Sequence, residues 1–400
     1  MRRTLILLTS LLFLLLVAMI LGLSMLSNHL WGSRPETLPE AKALVIHDPM
    51  TVGEFGRAND LPNPVLKGIF GLQYGSDLEK KLSDYGSTDE VRSLVRKKLA
   101  LAAEHAAKNW VKIPVKFGLW FAFLITIFLL LKKRPVTLDL RKWILFISVL
   151  IFGVIMGSDP SPMGTVKDAI HLYASAGAVF PPRMIALTIF LAIVFLANKY
   201  ICAWGCQAGV LQDLIFQLNR TEKRNAVVGK TFKPPFVLTN TVRVVFLGTF
   251  CAAALAWDTD LIEPVDPFKI FRPAYLGMAG SAFVGMILVA SPFVYRPWCH
   301  FFCPFGLVGW LVEKISRVRI SVDYQTCIAC GKCASACPST VMGAILKQNR
   351  KTIPDCFACY TCRDVCPTNS IRFSARKRTL PPPGHFEKKR APETVERREA

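Results

Sequence analysis

The chain concentrates its reactive groups in thiols. It holds thirteen cysteines, at positions 202, 206, 251, 299, 303, 327, 330, 333, 337, 356, 359, 362 and 366, and all but Cys251 fall in tight clusters. The densest are CIACGKCASACP (327–338) and CFACYTCRDVCP (356–367), which both fit C-x2-C-x2-C-x3-C-P. That spacing suits a 4Fe–4S cubane, which needs four thiolates converging from different directions. Two-residue gaps let one tight loop wrap three corners, and the fourth cysteine opens a segment leading to the other cluster. By that logic Cys327, Cys330, Cys333 and Cys366 hold one cluster, and Cys337, Cys356, Cys359 and Cys362 hold the second. A structural zinc ion takes two separated pairs closing one tetrahedral site, and two matching quartets exceed that need.

Two further pairs stand in apolar surroundings. KYICAWGCQAG (199–209) carries Cys202 and Cys206, and CHFFCPFG (299–306) carries Cys299 and Cys303, 97 residues later in register. Each pair is i, i+4, a spacing that on a continuous helix projects both sulfurs from one face. One pair alone reads as packing. Two in register supply four thiolates, a candidate third redox or metal site, with a dithiol switch and packing as the competing readings. Pro304 follows the second pair, and Gln207 takes its place in the first. Cys251 lies within an apolar run and reads as a small packing residue.

The elements that must position these thiols are membrane helices. Hydrophobic residues make up 52% of the 400 residues and net charge is +21, with a positive mean hydropathy of +0.37. That average hides apolar blocks alternating with basic ones, the pattern of a polytopic membrane protein. Six candidate spans are 4–26, 114–131, 143–157, 183–198, 241–257 and 274–294, several shorter than the ~20 residues a crossing needs. The third, WILFISVLIFGVIMG, is the weakest and is expected to extend into its flanks or to kink. Segments 132–142, 199–240 and 295–400 carry +4, +4 and +10, whereas 27–113, 158–182 and 258–273 sum to −2. Positive residues stay in the cytoplasm, so the N-terminus and the cysteine-rich segment are expected there, on the bacterial inner membrane. Thiols in that compartment stay reduced, which favours metal over disulfides. The basic charge then reports topology and contact with anionic headgroups, not nucleic acid. The run from Leu5 to Leu26 is longer than a signal core, and no small-x-small cleavage site follows it, so an uncleaved anchor is expected.

The expected organisation is an anchor (1–26), an external segment (27–113), a membrane core (114–312), a double 4Fe–4S domain (313–375) and a basic Pro-rich tail (376–400). In the external segment Ser87 and Glu90 have capping-box spacing. Val91, Leu94, Val95, Leu99 and Ala102 fall on one helical face, while apolar content elsewhere is thin and nothing catalytic appears. The core contains an imperfect repeat. One unit runs from the third span through GSDPSPMGTVKDAI to CAWGCQAGVLQDLI, the other from the fifth span through LIEPVDPFKIF to CHFFCPFGLVGWLV. Duplicated hairpins would bring the two cysteine pairs near one another, as repeated transporter halves do.

Weaker candidates are Asp159, Asp168, Asp258, Asp260, Glu263 and Asp266 in the external loops, with Lys167, Lys269 and Arg272 beside them. They are either a proton relay at a quinone site or solvated loop charge. No histidine has the context of covalent haem, and no nucleotide-binding glycine pattern occurs; His300 between the thiols of the second pair reads as headgroup-facing, with tuning or ligation of that pair as the alternative. The fold class expected is mainly α, with about six polytopic membrane helices and a C-terminal cytoplasmic two-cluster, bacterial ferredoxin-like α+β domain.

Over residues 115–375 the chain resembles the membrane polyferredoxins of the NapH/NosR/CcoG type, with paired Cys-x-x-x-Cys motifs followed by a double 4Fe–4S module. That resemblance implies an electron-transfer subunit or accessory protein of an oxidoreductase system. It would link the quinone/quinol pool or a membrane partner to a respiratory reductase, through redox partner proteins. It departs from the larger members in lacking a Ser/Thr-Gly-Ala-Thr motif for FMN. The alternative is a metal-handling or assembly factor, cupric reductase-like, or a redox-sensing regulator.

Overall fold

Apolar runs become helices throughout the chain, because a backbone withdrawn from water must satisfy its own hydrogen bonds. The computed structural model describes residues 2–31, 44–47, 49–106, 108–133, 136–157, 160–221, 225–347, 353–375 and 378–386. Asp159, residues 32–43 of the external segment and most of the tail lie outside the described residues.

Helix α1 (Arg2–Trp31) is followed by α2 (Val52–Ala58), α3 (Asn63–Phe70) and α4 (Thr88–Ala106). The capping box forms as its spacing demands. Ser87 N–H donates to Glu90 Oε2 at 2.8 Å, and Glu90 N–H donates back to Ser87 Oγ at 3.4 Å. The 44–106 segment holds more core than its composition promises. Val52, Phe55, Leu66, Phe70 and Leu82 close over Val91, Val95 and Leu99 of α4. The two short helices run seven and eight residues, too few turns for a 3.6-residue period to stand out.

Next come α5 (Lys112–Lys133) and α6 (Leu138–Ser148), which continues without a break as a π-helical turn over Val149–Ile155. The helix within 143–157 therefore extends back to Leu138 and is locally deformed. At Gly153 the Phe271 ring presses so close that an added Cβ would lie 2.4 Å from it. Wide helical turns of this kind accommodate such insertions. After α7 (Pro162–Ala176), helices α8 (Pro181–Ala197), α9 (Tyr200–Trp204) and α10 (Gln207–Leu218) form one unit. After α11 (Phe236–Trp257), helices α12 (Met278–Ala290), α13 (Pro297–Phe301) and α14 (Pro304–Glu313) form its counterpart. Among the described residues three helices, α1, α5 and α11, are long and apolar enough to cross a membrane; α8, α12 and α14 are apolar but shorter.

The C-terminal domain is α+β. Strands β1 (Arg319–Val322) and β2 (Ile371–Ser374) pair antiparallel, with Arg319 opposite Ser374 and Val322 opposite Ile371. Between them lie α15 (Lys332–Ala336), α16 (Val341–Lys347) and α17 (Thr361–Asp364). Ile320, Val322, Val341, Met342 and Ile371 pack with the buried cysteines.

Candidate metal centre

The two cysteine-rich loops fold alike. Ala329 (φ 54°) and Gly331 (φ 68°) flank Cys330, and Ala358 (φ 50°) and Tyr360 (φ 62°) flank Cys359. An L-residue held left-handed costs about 1–2 kcal/mol, so the repeat of this backbone at three non-glycine positions needs a reason. Alternating right- and left-handed residues turn successive N–H groups into one concavity, a shape suited to an anion.

Each loop opens onto a cavity. One is lined by Cys327, Cys330, Cys333 and Cys366, with Ile328 and Leu346 beside them. The other is lined by Cys337, Cys356, Cys359 and Cys362, with Met342 and Phe373. The structure thus gathers the two quartets that the spacing singles out, each completed by a cysteine from the opposite motif. Among the described residues no three His, Cys, Asp or Glu side chains converge as a single-ion site would require. A cubane instead wants its thiolates on separate corners, and the donor set fits it. Polar hydrogens reach the sulfurs as well. Ser370 N–H donates to Cys366 Sγ at 3.3 Å. The Ser339 hydroxyl lies 3.6 Å from Cys337 Sγ, whereas the Cys359 thiol donates to Thr361 Oγ1 at 3.4 Å.

The paired cysteines are not arranged as an i, i+4 stripe. Cys202 sits in α9 and Cys299 in α13, whereas Cys206 and Cys303 are the N-cap residues of α10 and α14. The helix breaks inside each pair, at Gly205 and at Phe302, and Cys303 Sγ accepts the Gly306 N–H at 3.3 Å. All four thiols are buried in one cluster. A Cβ placed on Gly209 would meet Cys202 O at 3.0 Å, Arg296 Nη1 at 3.1 Å and Cys299 Sγ at 3.5 Å, so the two repeats touch there. On Gly306, its equivalent, it would meet Cys299 O at 3.0 Å and Arg243 Nη1 at 3.3 Å. Pro304 opens α14, where its missing N–H costs nothing. Gln207 opens α10 fully buried, donating to Gly205 O at 3.0 Å, an oxygen that also accepts from Trp120 at 2.9 Å. Cys251, on α11, is partly buried and packs against the apolar core.

Around the thiols lie buried charges. Asp213 accepts from Arg141 at 2.5 Å and Arg296 at 2.6 Å, and Asp355 from Lys199 at 2.8 Å and Arg243 at 3.0 Å. Arg296 also donates to the carbonyls of Cys202 and Ala203, and Lys199 donates to Gly306 O. Despite burial the flanking cations hold Asp213 down at about 2 and Asp355 lower still. Glu313, buried and accepting from Cys356 N–H, is pushed up by burial to about 7. Four cations thus face three carboxyls, and Arg141 Nε, Arg243 Nη2 and Arg296 Nε lack partners. Each cation is paired with a carboxylate, and the excess of cations leaves the surroundings of the thiols net positive. His300 is buried, not headgroup-facing, and its ring stands 4.9 Å from Phe357. Motif reading missed these residues. The one available signal was that Lys199 and Arg296 are themselves 97 residues apart, three before each pair.

The charged loop residues around Lys167 are less solvated than loop residues normally are. Lys167 Nζ is buried and bonds Asp168 at 3.0 Å, Asp260 at 2.8 Å and Glu263 at 2.9 Å. Arg183 ties Asp168 to Glu104 of α4, and burial lifts Asp266 to about 7.

Comparison with known proteins bears directly on this geometry. Residues 320–373 match a family described as a 4Fe-4S dicluster domain. Residues 179–225 and 276–322 each match a family described as a 4Fe-4S binding domain. These are 4Fe–4S ferredoxin-type domains. The dicluster domain is the β1–β2 domain with its two cavities, and it carries two 4Fe–4S clusters. The two 4Fe–4S-binding matches stand 97 residues apart, the register of the cysteine pairs.

Relatives point the same way. YccM of Escherichia coli (strain K12), whose name assigns it provisionally to electron transport, is 30% identical over 174 residues, 41% of this chain and 48% of its own length. The methylamine utilization ferredoxin-type protein MauN of Paracoccus denitrificans (strain Pd 1222) is 30% identical over 182 residues, 43% of this chain and 61% of its own. An uncharacterized protein of Methanocaldococcus jannaschii, MJ0749, is 22% identical over 57% of this chain and 82% of its own length. The chain thus spans about half of YccM and three-fifths of MauN. No solved structure matches it.

Proposed function

We propose that this chain is a membrane-bound electron-transfer protein. It passes electrons between the quinone pool or a membrane partner and a respiratory reductase. The observation that carries this reading is the pairing of two four-cysteine cavities with an apolar helical core that buries four more thiols. Cys327, Cys330, Cys333 and Cys366 would hold one cluster, and Cys337, Cys356, Cys359 and Cys362 the other. Each cluster supplies one-electron chemistry at a potential set by burial and hydrogen bonds to sulfur. The chain's own part is to hold the thiols at the corners and to lend hydroxyl and N–H donors.

Cys202, Cys206, Cys299 and Cys303 form a third redox centre in this reading. It is supported by the paired 4Fe-4S binding matches and by the excess of buried cations around the thiols. Six helices cross the bacterial inner membrane (α1, α5, α6 with its π turn, α8, α11 and α12), with the N-terminus and dicluster domain on the cytoplasmic side. On the opposite side the Lys167 network would take up or release protons as quinol is oxidised or formed. Redox titration of the purified protein with and without a quinol analogue tests the reading. Clusters that never exchange electrons with the analogue would overturn the quinone link.

A further inference from the structure

The dicluster domain does not rest evenly on the core. Segment 355–361, which bears Cys356 and Cys359, is gripped at nearly every residue. Asp355 takes Lys199 and Arg243. Cys356 N–H donates to Glu313 at 3.1 Å. The Phe357 ring, 3% exposed, lies 4.7 Å from Lys199 Nζ and 4.9 Å from the His300 ring. Ala358 O accepts from Trp204 Nε1 at 3.3 Å, and Arg141 reaches Cys359 O and, at 3.2 Å, Thr361 Oγ1.

Three of these gripping residues belong to the cysteine pairs. Lys199 stands three residues before Cys202, Trp204 lies between Cys202 and Cys206, and His300 lies between Cys299 and Cys303. Loop 327–331 is different. Among the described residues it has no hydrogen bond or ion pair to the core, Cys327 and Cys330 are partly exposed, and Ile328 is 53% exposed.

We propose that segment 355–361 is the electronic joint of the molecule, and that it fixes the order of the centres. The four-thiol centre exchanges electrons with the site of Cys337, Cys356, Cys359 and Cys362, through Phe357, His300 and Trp204. The site of Cys327, Cys330, Cys333 and Cys366 is the outlet toward a soluble redox protein. Each transfer moves one electron, one centre being oxidised as its neighbour is reduced, with no bond made or broken and no proton moved. The quinone/quinol couple stands at one end and the soluble redox protein at the other. This order rests on the four-thiol centre proposed above.

Iron analysis and low-temperature EPR of the full chain, poised stepwise with dithionite, test both. About twelve irons per chain support three centres, and about eight overturn the third centre and this order with it. A water-soluble lanthanide chelate relaxes only exposed spins, so it marks the outer signal without mutagenesis. With about twelve irons present, the four-thiol signal is expected to split against the chelate-insensitive signal. Splitting against the chelate-sensitive signal, or no splitting, would overturn the order alone. Two variants repeat the reading. Cys330→Ser is expected to keep the splitting and Cys359→Ser to lose it, and the reverse would overturn the order.

Discussion

Hydroxyl groups two residues after a cysteine recur at Ser339, Thr361 and Thr368, each within 3.8 Å of the preceding sulfur. A hydrogen bond onto a cluster thiolate stabilises the reduced, more negative state and so raises its potential. Ser339→Ala, which removes the hydroxyl beside Cys337 Sγ, is therefore expected to lower the potential of the inner cluster by some tens of millivolts, from a bond of about 1 kcal/mol. EPR-monitored titration reads the shift, and an unchanged or raised potential would count against the bond. Asp213 answers to a different balance. Replacing it with Asn leaves Arg141 and Arg296 buried without their anion, and a loss of about 3–5 kcal/mol is expected, visible as a lowered thermal midpoint in detergent. Asp266 gives a pH signature. Burial raises its carboxyl from 3.8 to about 7. Between those values the folded chain keeps a proton that the unfolded chain releases. Stability therefore falls as pH rises from about 4 to 7 and levels off above it. In Asp266→Asn that slope should flatten; an unaltered slope would show that another group titrates there.

At the scale of elements, the helix break inside each cysteine pair is the decisive feature. It ends α9 and α13, makes Cys206 and Cys303 N-caps, and lets the first glycine of each second helix pack on the carbonyl of the first cysteine of its own pair. Gly209→Ala would put a Cβ 3.0 Å from Cys202 O, and Gly306→Ala one 3.0 Å from Cys299 O. Overpacking against backbone costs about 1–3 kcal/mol, so both variants should lose stability by similar amounts. A loss at only one of the two would argue that the two units are not built alike at this turn. The break was not legible from i, i+4 spacing, because periodicity assumes a helix that continues. Pro304 was a visible hint of a fresh helix start. Gln207 concealed the same start in the first unit, since a glutamine satisfies Gly205 O as readily as it continues a helix.

For the molecule as a whole, the dicluster domain and the helical core should differ in their dependence on iron. The domain's two-stranded sheet and short helices enclose few apolar residues besides the cysteines, and metal binding is then a large part of its folding free energy. Iron chelation is expected to open residues 313–375 to protease while far-UV circular dichroism retains most of the helix signal. Resistance of that region after chelation would show that its core suffices alone. The ligand quartets, the duplication at 97 residues and the mainly helical class were all legible in the sequence, because tight loops and local periodicity are written in short-range spacing. The buried cations were not. Arg141, Lys199, Arg243 and Arg296 come from four separate segments, and only folding brings them to Asp213 and Asp355. A lysine at a helix end looks the same in one dimension whether it meets water or an aspartate. Sequence by itself therefore determined the two C-x2-C-x2-C triplets, since each is set by chain geometry over a few residues, and the fourth thiol of each cavity arrives from the opposite motif. Only the tertiary structure decided which quartet faces the core, because that depends on long-range pairing of charges that no local pattern encodes.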